Sequence, residues 1–271
     1  MFYVLIFMIG LAIGSFLNVL IDRLPFEEPI TGRSHCEHCK KDLAWYDLLP
    51  ILSYAYLGAK CRYCGKKLSF FYPLVELLTG VMFVGVVMWM RPMGEMGQIR
   101  NMGETLLILH NQTLMFFALL GIVSCAIVIF FSDLKYQLIP DSIQISLFAF
   151  SFLFLITKGV TPKVFLDQVV AAFVVMLPIL LLFFVTKGKG MGFGDVKLSF
   201  SMGFLLGIIN GLIGLYIAFI TGAAIGTLLV IFRKQKLKSK IAFGPFLVLG
   251  LITMLFFGNT IVQIVHTIYS F

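Results

Sequence analysis

The sequence predicts an all-α polytopic membrane protein of about eight transmembrane helices, with one small soluble insert between the first and second. Three observations predict it. Of 271 residues, 60% are hydrophobic and only 13% are charged, against about a quarter charged in an average soluble domain. Apolar runs of about 17–25 residues, long enough for a ~30 Å hydrocarbon core, recur along the chain. Lys and Arg gather in alternate connections, the signature of cytoplasmic loops.

The expected spans are 2–21, 73–90, 113–131, 142–157, 164–186, 198–209, 211–232 and 243–264. The first has no basic residue before it and no small-residue cleavage site after it, so it reads as a retained helix rather than a removed signal peptide. Residues 198–232 form one apolar run of 35 residues, too long for one crossing, and Asn210-Gly211 is the expected break. Seventeen Lys and Arg fall in 22–72, at Lys135, at Lys187, Lys189 and Lys197, and in Arg233 to Lys240; only Arg91, Arg100, Lys158 and Lys163 fall on the other side. The insert is thereby expected in the cytoplasm and both termini outside, in a bilayer environment. The net charge of +8 then marks topology, and no nucleic-acid partner is expected.

Three segments follow: a first helix (1–21), a cytoplasmic insert (22–72) and a membrane bundle (73–271). The insert is too small to hold itself together by a hydrophobic core and needs a staple. Cys36-x2-Cys39 and Cys61-x2-Cys64, separated by 21 residues, suit tetrahedral thiolate zinc. Gly65 supplies the open φ a metal knuckle wants. Two disulfides are the alternative, disfavoured in a reducing compartment; His35 and His38 are substitute ligands. Cys125 lies in an apolar run and reads as packing.

Of 13 acidic residues, Asp22, Glu27, Glu28, Glu37, Asp42 and Asp47 fall in the insert and Glu95 and Glu104 in an outer loop. Five remain in or beside the bundle. Asp167 has Lys163 one helical turn before it and reads as a surface pair. Glu76 reads as an interfacial carboxylate beside Lys or Arg. Asp141, after Pro140, reads as the N-cap of the fourth span.

Asp133 closes the third span and Asp195 opens the sixth, within the glycine-rich stretch Gly190-Met191-Gly192-Phe193-Gly194-Asp195-Val196-Lys197. Two crossings separate them, which returns the chain to the same face. Carboxylates brought together at a membrane boundary share a proton. One can then activate a water while the other polarises a peptide carbonyl, which is aspartic-protease chemistry. Helix capping, or pairing with Lys135 and Lys197, are the other readings. A transporter is a rival class, since intramembrane carboxylates also bind cations; a zinc-binding assembly factor without catalysis is a third.

Several stretches together resemble the type IV prepilin peptidases, bifunctional leader peptidases and N-methyltransferases of the GxGD membrane aspartic protease class. They are Gly14-Ser15-Phe16-Leu17-Asn18-Val19-Leu20-Ile21-Asp22-Arg23-Leu24-Pro25, the cysteine pairs, Tyr72-Pro73-Leu74-Val75-Glu76-Leu77, Asp133 with Ile139-Pro140-Asp141, Gly192-x-Gly194-Asp195-x-Lys197, and Phe243-Gly244-Pro245-Phe246. Glu37 departs from the pattern, standing where many members have proline. The resemblance implies Asp133 and Asp195 as catalytic dyad and a prepilin or pseudopilin substrate cut at the cytoplasmic face after the leader's final glycine. It also implies methylation of the new amine by S-adenosylmethionine, and an association of the zinc insert with that second step. No glycine-rich nucleotide loop follows a strand here, so the methyl donor's site falls on no named residue. Glu27 and Glu28 are candidates to attract the basic leader. The location implied is the bacterial inner membrane.

Overall fold

The computed structural model describes residues 1–36, 38–94, 102–188, 190–232 and 242–269. Glu37, Glu95, Arg100, Lys189 and the basic run from Arg233 to Lys240 lie outside the described residues, as do the side chains of Arg91 and Glu104. The described chain is helical, with two isolated β-bridges, His35 to Asp42 and Lys60 to Lys67. It divides into two compact units, Met1–Arg100 and Asn101–Phe271.

The first unit holds α1 (Phe2–Arg23), the one-turn helix α2 (Leu52–Tyr56) and α3 (Phe71–Gly94). Small residues let α1 and α3 approach closely, as in membrane helix pairs generally. A Cβ on Gly10 would lie 2.7 Å from Gly80 Cα, and one on Gly14 would lie 2.7 Å from Glu76 Cα. Nearer the insert the contact turns polar. Asn18 Nδ2 donates to the Tyr72 carbonyl at 3.1 Å, and the Tyr72 hydroxyl donates to Asp22 Oδ2 at 3.0 Å. Arg23 then donates to the carbonyls of Pro29, Thr31 and Arg33, gathering the start of the insert.

The second unit holds α4 (Met102–Tyr136), α5 (Asp141–Thr157), α6 (Pro162–Val185), α7 (Phe193–Leu206), α8 (Ile208–Ile231) and α9 (Gly244–Tyr269). Phe148, Phe200 and Phe204 stack between α5 and α7, Phe148 and Phe204 with centroids 4.7 Å apart. The missing side chain of Gly203 lets α7 approach Ala172 of α6; a Cβ there would lie 2.9 Å from Ala172 Cα.

Six of these helices are long and apolar enough to cross a membrane: Phe2–Phe26, Phe71–Met90, Asn111–Tyr136, Pro162–Val185, Ile208–Leu229 and Gly244–Val265. The chain is a multi-pass membrane protein. The expected spans 142–157 and 198–209 fall on the shorter α5 and α7, 17 and 14 residues, which do not reach that length. The break in the long apolar run falls at Gly207, not at Asn210-Gly211. Gly207 takes φ +81, a conformation that L side chains rarely adopt. Gly211 instead continues α8, where a Cβ would press 2.6 Å from Val175 Cγ2.

Candidate functional site

Asp133 lies one turn before the end of α4. The helix ends by folding back on itself: Gln137 takes φ +54, its N–H donates to the Asp133 carbonyl at 2.9 Å, and the Ser132 hydroxyl donates to the Leu138 carbonyl at 2.8 Å. The Asp133 carboxylate, 6% exposed, accepts the Gly244 N–H at 2.9 Å through Oδ2. Gly244 opens α9, so this oxygen meets one of the unpaired donors at a helix N-terminus.

Asp195 is the third residue of α7 and equally buried. Its Oδ2 accepts the Gly192 N–H at 3.2 Å, the acidic half of a capping box. A cap alone leaves its second oxygen to water. Here Asp195 Oδ1 is closed off from solvent and has no hydrogen-bond partner among the described residues, which capping does not explain. Asp133 and Asp195 are near enough to interact through their charges.

Ile139 brings the two together. A Cβ on Gly194 would lie 3.2 Å from Ile139 Cβ, and a Cβ on Gly244 would lie 3.2 Å from Ile139 Cδ1. The segment between α4 and α5 is thus wedged between the starts of α7 and α9, each of which delivers a glycine. Gly192 itself has φ −77, ordinary extended backbone; the glycine motif works through the close approach at Gly194. A methyl group on Gly244 would fall 2.7 Å from Asp133 Oδ2 and 3.1 Å from its carboxyl carbon. Gly244→Ala is therefore expected to displace that carboxylate and lower the turnover by about a hundredfold, with the unfolding temperature in detergent little changed; undiminished turnover would show that the Gly244 contact does not set the site.

The other bundle carboxylates separate from this pair. Asp141 is the first residue of α5, with Pro140 at the N-cap position, and it accepts from Lys197 Nζ at 2.7 Å. Lys197 thereby has its partner. Asp167 is exposed. Glu76, in the first unit, does not follow the expected pairing with a basic residue: its buried Oε2 accepts the Ile51 N–H at 2.7 Å. That bond braces Ile51, which sits at φ +59, a costly angle for a β-branched residue.

The cysteines form two equivalent knuckles. Cys36 and Cys61 donate their N–H groups to Lys41 and Lys66, and their carbonyls accept from Lys40 and Gly65. Lys40 and Gly65, at φ +55 and +67, occupy the same turn position. The sulfur atoms of Cys36, Cys39, Cys61 and Cys64 lie within 4.8 Å of one another, and Cys36 Sγ is 3.9 Å from Cys64 Sγ. Tetrahedral zinc at about 2.3 Å from each sulfur requires S···S separations of about 3.8 Å. The quartet is compatible with zinc. Burial pushes the Cys36 thiol up, but hydrogen bonds from the Cys39 and His38 N–H groups and from the Cys61 and Cys39 thiols together outweigh it and bring the group down to about 7, which favours a thiolate ligand. His35 and His38 are not part of the cluster among the described residues, and Cys125 is buried elsewhere. Lys41 of the first knuckle lies over the Tyr63 ring of the second, 4.6 Å from its centroid.

Sequence reasoning missed Ile139 as the wedge, Gly244 as the holder of Asp133, and Gln144, whose Nε2 donates to the Gly194 carbonyl at 3.1 Å. Gly244 and Ile139 both stood within quoted motifs, so their signal was present; Gln144 is an ordinary residue in the first turn of α5 and carried none.

Two family models match. The bacterial peptidase A24 N-terminal domain covers residues 8–90 and the type IV leader peptidase family covers residues 119–227. A prepilin leader peptidase/N-methyltransferase from Aeromonas hydrophila is 30% identical over 97% of this chain and 93% of its own length. Proteins of the same description from Legionella pneumophila, 31% identical over 96% of this chain and 93% of theirs, and from Bacillus subtilis, 27% identical over 96% of both, agree. No solved structure matches. With both family segments present in order and the likeness running almost from end to end, the chain belongs to the type IV prepilin leader peptidase/N-methyltransferase family, membrane proteases with an associated methyltransferase activity.

Proposed function

We propose that this protein is an aspartic endopeptidase that removes the basic leader from type IV prepilins or pseudopilins, and that Asp133 and Asp195 are its dyad. The observation that carries this reading is their convergence: two buried carboxylates from α4 and α7, each with one oxygen held by a backbone N–H. The held oxygens fix the orientation of both groups before substrate arrives. An ionised aspartate then takes a proton from water, and its protonated partner donates a hydrogen bond to the scissile carbonyl as negative charge develops there. Asp195 Oδ1, buried and without a partner, is the atom on that residue left for this work. A transporter reading expects broken helices with carboxylates near mid-membrane, whereas Asp133 and Asp195 lie in the last turn of α4 and the first turn of α7.

The second activity we assign is methylation of the new N-terminal amine with S-adenosylmethionine. Cys36, Cys39, Cys61 and Cys64 would hold zinc as a structural staple for the segment 22–72, between the first helix and the bundle of 73–271. From the charge asymmetry, the insert and the dyad face the cytoplasm of a bacterial inner membrane. Purified protein incubated with a prepilin should release the leader and yield a methylated mature chain, read by mass spectrometry; an intact prepilin under all conditions would refute the assignment.

Glu27 and Glu28 are exposed and are assigned to attracting the basic leader. Reversing both to lysine is expected to raise KM about threefold to tenfold, an effect that shrinks with added salt. Unchanged KM at low salt would remove them from substrate capture.

A further inference from the structure

A groove between α5, α6 and α7 runs beside the Gly194–Asp195 peptide and encloses about 370 Å3. Its walls are mostly apolar, with Ile145 and Phe148 from α5, Met176 from α6, and Phe193 and Phe200 from α7, and the Asp141–Lys197 ion pair lines it as well. Gln144 also lines it, and this side chain is 5% exposed. A carbonyl oxygen can only accept, so the bond to the Gly194 carbonyl must come from the Gln144 amide nitrogen. The amide's orientation is thereby fixed, and Oε1 is its other atom. Among the described residues, Gln144 Oε1 is buried without a partner, as is Asp195 Oδ1.

The third such atom among the described residues, Gln168 Oε1 of α6, stands apart from this pair, beside Gly207 after the end of α7. The buried hydroxyls of Ser151 and Ser199 donate to carbonyls of their own helices. Two acceptors lacking a donor around one peptide unit point to a donor that arrives from outside. A lipid chain would fill an apolar groove but brings no N–H. An extended peptide brings an apolar side chain and a backbone N–H together.

Resting on the protease reading above, we infer that this groove is the subsite for the first apolar residue on the carboxyl side of the cut. Gln144 Oε1 accepts the first backbone N–H beyond the scissile peptide, which makes Gln144 a substrate-binding residue. Ile145, at 70%, and Phe193 are the exposed apolar residues of its walls.

The test uses the full chain in lipid nanodiscs and synthetic prepilin peptides in which each amide near the cut, the scissile one excepted, is replaced in turn by an ester. The ester that removes the first N–H on the carboxyl side should lower kcat/KM about tenfold, chiefly through KM. In Gln144→Leu the same ester should cost nothing further. A flat ester series in the native protein, or an equal loss in Gln144→Leu, overturns the assignment. The first of these needs no variant to fold. Ile145→Trp, a change at an exposed wall residue, supplies a second arm: it should lower kcat/KM about tenfold for phenylalanine in the first position and leave alanine unaffected. An equal effect on both substrates would also overturn it. Asp133→Asn separates the two levels. If it is inactive while the ester series is flat, only the groove assignment fails; if it remains fully active, the protease reading fails.

Discussion

Asp133→Asn and Asp195→Asn are each expected to lower the rate of leader removal by about a thousandfold or more. Asparagine keeps the shape of the side chain and an oxygen that can still accept from the Gly244 or Gly192 N–H. It can neither ionise to take a proton from water nor supply an acid proton to the substrate carbonyl. The loss should therefore appear with an unfolding temperature close to that of the native protein. Asp141→Asn is the matched control: that carboxylate is 67% exposed and meets only the partly exposed Lys197 in an ion pair, a contact worth at most about 1 kcal/mol, so much of the activity should survive. The native enzyme should also show a bell-shaped pH profile. Activity requires the dyad to hold a single proton; it falls on the acid side as the second carboxylate is neutralised and on the alkaline side as both ionise. Full cleavage by either asparagine variant would sink the dyad.

The parts of this arrangement that composition and spacing control were legible in the sequence. Run length gives the helices because hydrocarbon thickness leaves little choice, and paired Cys-x2-Cys spacing gives the quartet because a knuckle is a local turn. What was not legible depends on which neighbour a residue meets. The run 198–232 contains Gly203, Gly207, Gly211, Gly214, Gly222 and Gly226, and in isolation the asparagine beside Gly211 made that the expected break. Only packing decides that Gly207 bends the chain while Gly203 and Gly211 admit α6. Ile139 reads as one more apolar residue, yet the backbones of α7 and α9 close on it. Glu76 and Ile51 are 25 residues apart and meet through one hydrogen bond. Ile139 and Glu76 both stand in stretches that carry the family resemblance, but no period or spacing announces which neighbour either one meets. Within the glycine-rich stretch, Gly192 uses no special φ, and Gly194 is needed for the closeness of Ile139.

Replacing Cys36 and Cys39 with serine is expected to take bound zinc from about one atom per chain to almost none, because serine is a poor ligand and two thiolates cannot close a tetrahedral site. Methylation should fall far more than cleavage. The reason lies in how the chain is divided. Asp133, Asp195, Ile139, Gly192 and Gly244 all belong to the unit Asn101–Phe271, whereas the four cysteines belong to Met1–Arg100. Among the described residues, the knuckles lean on short backbone bonds, the Lys41–Tyr63 contact, and the Arg62–Asp47 pair at 2.6 Å, which is little for about fifty residues without a core. The Glu76–Ile51 and Arg23 bonds tie other parts of the insert to α3 and α1 but do not reach the cysteine cluster. Cys125→Ser should leave zinc content untouched, since that thiol lies in α4 among buried apolar residues. Metal analysis beside paired cleavage and methylation assays decides the matter: an equal loss of both activities would mean that zinc supports the folding of the whole chain, and loss of methylation with cleavage retained would place the second step on the metal-stapled insert.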